Sequence, residues 1–348
     1  MQHKLLLGST ALVSAGLLMS SGAQAQETMR VGGIEVVLGG YTEFGVKAAT
    51  DDTLTNSNND RNYLFYMDNE VHLDANAATE TGILYGSHLE LEVGSGDGNT
   101  DNAFVDEVGL YFSGNFGRIE LGREDGAEDV MGIGGADAQA GTGGIDGDTT
   151  NLVQFEVPDT GDTAKATYFT PRIAGFQVGA SWTPDNNDGI FDDQPPPAQE
   201  NIISGAVNWV GAMGPADLTV AGAGILGEAE TGGDDLRSWE AGALLGFGGF
   251  SLGGNFFQNT DLDEGWGVST GIKFGFGAAN VSAGWVLFDP DGGDTTNLIA
   301  LSGDIGVLPG VTLKADGTYN TEDPGADAND PDDTDDTLAG VVSIQLDY

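Results

Sequence analysis

The sequence contains no cysteine, which removes disulfide scaffolds, thiolate metal sites and cysteine nucleophiles together. Basic residues are nearly as scarce. Eleven Lys and Arg stand against 55 Asp and Glu in 348 residues, a formal net charge of −44. A chain this acidic is repelled by phosphate backbones, whose recognition draws on Lys and Arg that displace counterions. It is expected to have no nucleic-acid partner. Aromatics make up 8% of the chain, and nowhere after residue 25 is there a run of about 18 apolar residues, so no transmembrane helix is expected. These scarcities do not amount to disorder, because hydrophobic residues reach 39% and recur in ordered short runs. Glycine is the abundant residue. Its 57 copies are more than twice the usual share of about 7%, and with no G-X-Y period they are expected to serve turns and close backbone packing.

The N-terminus points to a compartment. Met1 to Ala25 has a basic start (His3, Lys4), an apolar run from Leu5 to Met19 and the ending Ala23-Gln24-Ala25, the three regions of a cleaved secretory signal. Residues 26–348 are then an exported protein.

Along that exported part the side chains alternate with period two. In Tyr63 to Ala77 the even positions Asp68, Glu70, His72, Asp74 and Asn76 are polar, while Met67, Val71, Leu73, Ala75 and Ala77 are apolar. This is a strand with one wet and one greasy face. A turn at Thr79 to Gly82 leads into Ile83 to Gly94, where His88, Glu90 and Glu92 alternate with Leu89, Leu91 and Val93, completing a hairpin. Short turns recur at Asn115 to Gly117, Pro171 to Ala174, Gly211 to Ala216, Phe247 to Phe250, Gly275 to Ala278 and Gly306 to Gly310. Between them lie long acidic loops, the longest from Asp125 to Asp162. The segments between them are expected to make sixteen strands, the last being Thr337 to Tyr348, with short turns at one rim and long loops at the other. Alternation alone leaves open which face meets water. Aromatics near strand ends (Tyr63, Phe65, Trp182, Trp239, Trp266, Phe288, Tyr319, Tyr348) suit the interfacial girdle of a membrane barrel.

Two stretches carry a family likeness. Asp106 to Arg123 reads DEVGLYFSGNFGRIELGR and Ala166 to Pro184 reads ATYFTPRIAGFQVGASWTP, and the chain ends Val342, Ile344, Leu346, Tyr348, alternately apolar with a terminal aromatic. Together these resemble the Gram-negative general diffusion porins, including their strand pair before the third loop, although Trp182 stands where Tyr is commoner and Tyr348 where Phe is usual. The resemblance implies a 16-stranded antiparallel transmembrane β-barrel, usually homotrimeric, in the outer membrane among lipid and lipopolysaccharide. It also implies that residues 125–162 fold into the lumen as a constriction loop.

Under that reading the loop brings Asp125, Glu128, Asp129, Asp137, Asp146 and Asp148 to the narrowest point. The polar strand face places Glu43, Asp68, Glu70 and further acids against Lys47, Lys165, Lys273 and Lys314. Rings of charge set selectivity by concentrating counterions, so the acidic excess predicts a passive channel for small hydrophilic solutes that prefers cations. Arg123 shares its parity with Ile119 and Leu121, and an Arg on the lipid face near the midplane costs about 2–4 kcal/mol. A strand break or bulge near Gly122 that turns Arg123 into the pore is therefore expected; the alternative is a lower strand start with Arg123 snorkelling to an interface.

Motifs that suggest other chemistry do not survive their context. Gly267-Val268-Ser269-Thr270-Gly271 matches a nucleophile elbow, but the mature chain's His72 and His88 both lie upstream of it. Gly222 to Gly227 matches G-x-G-x-x-G but leads into a loop, where a dinucleotide site needs a helix. No enzyme and no cofactor is expected. His72 and His88 share the polar parity of adjacent strands and, with no third ligand evident, read as pore-lining residues. Acidic loops such as Asp185 to Asp193, Asp289 to Asp294 and Glu322 to Asp336 are expected to be solvated charge, with weak Ca²⁺ binding as the alternative. Two other functional readings remain at this point: an exported soluble acidic β protein, such as a Ca²⁺-assisted adhesion module, and a substrate-selective channel.

Overall fold

The computed structural model describes residues 27–50, 62–93, 103–143, 157–158, 160–186, 199–230, 234–260, 264–293, 295–323 and 336–348. In chain order its strands are β1 (Glu27–Val31), β2 (Ile34–Ala49), β3 (Tyr63–Ala78), β4 (Leu84–Val93), β5 (Ala103–Gly114) and β6 (Gly117–Arg123). There follow β7 (Ala164–Phe169), β8 (Phe176–Asp185), β9 (Gln199–Met213), β10 (Ala216–Ala229), β11 (Leu236–Phe247) and β12 (Phe250–Asn259). The last five are β13 (Gly265–Phe276), β14 (Ala279–Pro290), β15 (Thr295–Leu308), β16 (Val311–Asp323) and β17 (Thr337–Asp347).

Every strand from β2 to β17 pairs antiparallel with its sequence neighbours, and β17 returns to pair with β2. The result is a closed sixteen-stranded barrel, which leaves no sheet edge exposed. At the closure Gly40 and Tyr348 exchange backbone hydrogen bonds of 3.1 Å each way. Gly40 has φ 144°, and a side chain there would run into the Glu70 carbonyl, so the seam needs glycine at this point. The sequence reading gives sixteen strands; β1 is an addition to them. It folds back on the start of β2, from Glu27 opposite Leu38 to Val31 opposite Ile34.

The tight turns fall where the glycine-rich stretches place them but are shorter than expected. β9 runs through Gly211 to Met213, and β12 starts directly after Gly248-Gly249. Pairing persists up to the residue that must take positive φ, such as Gly214 (φ 66°) and Gly248 (φ 60°).

The two strand faces separate sharply. Large apolar side chains point outward, as with Phe65 at 66% exposed and Leu301 at 63%, whereas Ser269 at 2% and Thr318 at 3% are buried on the opposite face. A soluble sandwich or filled barrel has the reverse arrangement, and an apolar belt of this extent in water would far exceed what monomeric proteins expose. The soluble reading is therefore set aside: the greasy face is the outer one and the polar face lines the interior. Tyr63, Phe65, Trp182, Trp239, Trp266, Tyr319 and Tyr348 are exposed as a girdle requires. Phe288 is not. It packs beside Phe257, Val286, Leu298 and Ala300 on the inner face, stacked on Phe257 with ring centroids 5.8 Å apart.

Candidate functional site

Between β6 and β7, residues 124–143 and 157–163 are described apart from 159. The segment contains one helical turn, α1 (Ala127–Met131), and a 3-10 turn, Ala136–Ala138. α1 sets Ala127 and Met131 against Phe169, Ala206 and Ala223, and Val157 packs on Ile202, Ile225 and Leu236.

The rest of the attachment is polar and unusually regular. Ser181 on β8 accepts the Ala127 N–H at 2.8 Å, and Ser204 on β9 donates to the Glu128 carboxylate. Glu240 on β11 accepts the backbone N–H groups of Ile133 and Val157. Ser269 on β13 accepts the Gly135 N–H at 2.6 Å, and Ser282 on β14 accepts that of Ala140 at 2.8 Å. Asp304 on β15 accepts from Gly141 at 3.1 Å, and Asp316 on β16 accepts both the backbone N–H and the hydroxyl of Thr142 at 2.9 Å. Short polar side chains on seven of the nine strands from β8 to β16 thus hold the segment, most of them by accepting from its backbone N–H groups. Glycines make the approach close enough. The carbonyl of Ile133 lies where a Gly242 β-carbon would sit, and that of Gly134 would be 2.8 Å from one on Gly253.

The expected site residues divide accordingly. Asp137 caps the Gly134 N–H at 2.8 Å, and burial raises its carboxyl. Glu128 is buried against β9, so it anchors the segment where an open pore-facing acid was expected. Lys165 is also buried, donating to the carbonyls of Glu124 and Gly161. Asp129 lies half-buried on α1, and Lys273 half-buried on β13. Asp146 and Asp148 lie outside the described residues, as do most of the acidic stretches on which calcium was considered. Arg123 corrects an expectation. The ladders run through it without a shift, opposite Val108 and Ala164, so there is no break or bulge at Gly122. The strand simply ends on Arg123, and its Nε donates to the Asp162 carbonyl at 2.8 Å. A residue at a strand end is released from the alternation that would commit it to lipid.

A bulge does occur one strand earlier. Leu89 pairs with Val108 but Leu91 with Val105, so Asp106 and Glu107 together oppose Glu90. This sets the buried Glu107 beside Asp125 and Asp162, with one ligand-type oxygen from each within 4.8 Å of the others. Burial and the Asp125, Asp106 and Glu107 charges raise the Asp162 carboxyl. Burial, then the Glu107 and Glu120 charges, push Glu124 up to about 7. Glu107 shares the inner parity of Gly109 and Tyr111, alternating with the outward Val108, Leu110 and Phe112; what period-two reading could not find is the bulge that brings Asp106 and Glu107 together against Glu90.

The remaining wall, β2 to β5 with β16, carries most of the other expected charges. Glu43 accepts from the Tyr66 hydroxyl at 2.6 Å and from Lys314 Nζ at 2.7 Å. Lys47 Nζ stands 4.7 Å from the centre of the Tyr66 ring, within cation–π range. The Tyr41 hydroxyl lies 2.6 Å from both Asp68 and Glu70. The two apparent catalytic motifs lie wholly within β13 and β10, in strand where their chemistry needs a helix start.

The Gram-negative porin family model matches residues 8–341. Among solved structures, three mutants of the Rhodobacter blastica porin are similar in fold, with identities of 17%, 16% and 18% and TM-scores of 0.64, 0.64 and 0.61. Each alignment covers 90% of this chain and 100% of the other. Among curated proteins, none matches the sequence. A closed sixteen-stranded barrel with an apolar outside and a polar inside, matched to one family over nearly its whole length, makes this chain a member of the Gram-negative porin family, the general diffusion channels of the outer membrane.

Proposed function

We propose that the channel favours small cations, is exported behind a cleaved leader at residues 1–25, and works as a homotrimer in lipopolysaccharide-bearing membrane with residues 125–162 as its constriction. One observation carries the selectivity: the unequal fate of the two signs of charge on the inner face. Lys165 is spent on loop carbonyls, and Lys314 is neutralised by Glu43. Asp68, Glu70, Asp74, Glu90, Glu92 and Glu107 gather on the three neighbouring strands β3, β4 and β5. Beside a water-filled path such a face concentrates cations and repels anions. The constriction reading is supported by the row of bonds from Ser181 to Asp316, all made by inner-face side chains. Transport itself is passive, since an aqueous route replaces transfer of polar solutes through hydrocarbon. No cofactor belongs to this reading: the outer acidic loops are taken as solvated charge, with weak calcium binding as the alternative. Reversal potentials of single channels across a KCl gradient test it: cation preference is expected, and an anion preference would overturn it.

A further inference from the structure

On the inner face of β3, β4 and β5, two imidazoles and four carboxylates converge. His72 is paired directly with Glu90 across the β3–β4 ladder, and Asp74 with His88. Each imidazole stands opposite a glycine on its other neighbour, His72 opposite Gly39 and His88 opposite Gly109, and the Glu124 carboxylate lies in the space over Gly109. The bulge on β5 then sets Glu107 against the pair. The His88 Nε2 lies 3.1 Å from Glu90 Oε2 and 3.5 Å from Glu107 Oε2. The His72 Nε2 lies 2.8 Å from Glu70 Oε2 and 3.3 Å from the other Glu90 oxygen. The rings are 5.9 Å apart, nearly perpendicular, and Glu90 bridges them.

We infer that His88, Glu90 and Glu107 form a binding site for a borderline first-row divalent cation of the Zn²⁺ class, with His72 and Glu70 as its neighbouring ligands on the shared Glu90. Three features of the geometry argue for it. Zinc bonds to imidazole nitrogen and carboxylate oxygen at about 2.0–2.2 Å place tetrahedral ligand atoms about 3.3–3.5 Å apart, and the 3.1 and 3.5 Å spacings around His88 Nε2 need only a small adjustment to meet it. Asp74 Oδ1 lies 2.8 Å from His88 Nδ1, so that nitrogen carries the proton and Nε2 turns its lone pair toward Glu90 and Glu107; this is the carboxylate–histidine arrangement that orients metal-bound imidazoles. An imidazole nitrogen held between two carboxylates also needs a positive partner, either a proton or a metal, and metal binding would release that proton to solvent. Two imidazoles among carboxylates select zinc, nickel or copper over calcium and magnesium, whose ligand sets are oxygen alone.

The consequence is a lumen wall whose charge depends on metal occupancy, so that cation flow falls when the ion is bound. The inference concerns metal binding and holds whichever ions the open channel prefers, so its failure is distinguishable from a failure of the proposed selectivity. The test is equilibrium dialysis of the folded, detergent-solubilised protein against Zn²⁺ with Ca²⁺ and Mg²⁺ in thousandfold excess, followed by X-ray absorption at the zinc edge. The expected result is at least one tightly held Zn²⁺ per chain with imidazole in its first coordination sphere. His88→Ala should weaken it by more than tenfold, and Asp74→Asn by about tenfold, with the heat-modifiable migration of the folded barrel retained in both. Glu107→Gln provides a milder variant should His88→Ala fail to fold, and is also expected to weaken binding. In single channels, micromolar Zn²⁺ should lower conductance in the parent and not in His88→Ala. No zinc retained under the calcium excess, a zinc edge with oxygen ligands only, or equal affinity in the folded variants would each overturn the inference.

Discussion

The carbonyl of Gly135 occupies the space that a β-carbon on Gly271 would need. The same residue's N–H is held by Ser269, two residues before Gly271 on β13. Backbone lies directly on backbone here, which only glycine on the wall allows. Gly271→Val should therefore lift the Ala136–Ala138 turn off the wall, with a local cost of about 1–3 kcal/mol, while the ladders of β13 remain. Single-channel conductance is expected to change and become noisier with heat-modifiable migration unaltered. An unchanged, quiet channel would show that the segment does not border the conducting path.

Asp316 tests the other end of the same attachment. It accepts both donors of Thr142, so Asp316→Ala leaves two groups without their acceptor at a cost of about 1–3 kcal/mol. Amide exchange at Thr142 is expected to quicken about tenfold for each 1.4 kcal/mol lost, while exchange within β15 and β16 stays slow. Equal acceleration in the strands would mean that the wall, and not the loop contact, had been weakened.

Much of this fold is legible in the sequence because a barrel wall obeys one local rule. Residues such as Val71 and His72 declare their faces by parity, and Gly248 and Gly277 mark turns by the conformation they alone take readily. What is not legible is whatever departs from parity or depends on distant strands. The bulge that sets Asp106 and Glu107 together opposite Glu90 has no mark in the alternation, and Phe288 leaves the expected girdle to stack on Phe257. The roles of Ser181, Ser269 and Ser282 appear only once residues more than fifty positions away lie against them. His72 and His88 read as plain lining for the same reason, since a third ligand from β5 cannot be counted on without the register.

Glu124 makes the entrance to the loop sensitive to pH. Burial, with Glu107 and Glu120 nearby, raises its carboxyl from the usual 4.5 to about 7. A carboxyl raised in the folded state contributes stability in full below its ordinary value, and that contribution is lost as pH rises through the folded value. The loop attachment near Gly109, which Glu124 touches, should therefore loosen between about pH 4.5 and pH 7 as negative charge accumulates beside Glu107. Cation preference should rise over the same window. Reversal potentials at pH 5.5 and pH 8 measure it, and Glu124→Gln should flatten the difference; a wild-type channel with equal selectivity at both values would contradict the assignment.

Lys314 and Glu43 supply the last test, because their 2.7 Å pair joins β16 to β2 across the neighbouring β17. Glu43 is 5% exposed and takes its second hydrogen bond from Tyr66. Removing the cation with Lys314→Met leaves a buried carboxylate with only neutral hydrogen-bond partners, which costs several kcal/mol in a dry interior but less beside lumen water, about 1–3 kcal/mol here. The midpoint of heat modification should fall, and reversal potentials should move further toward cations because one positive charge leaves the wall. The double variant Lys314→Met, Glu43→Gln removes both charges, so it should recover most of the lost stability and return selectivity toward the parent. If the double variant is no more stable than Lys314→Met, the ion pair is not what couples these strands, and the contribution of Lys314 lies in the packing of its aliphatic stem.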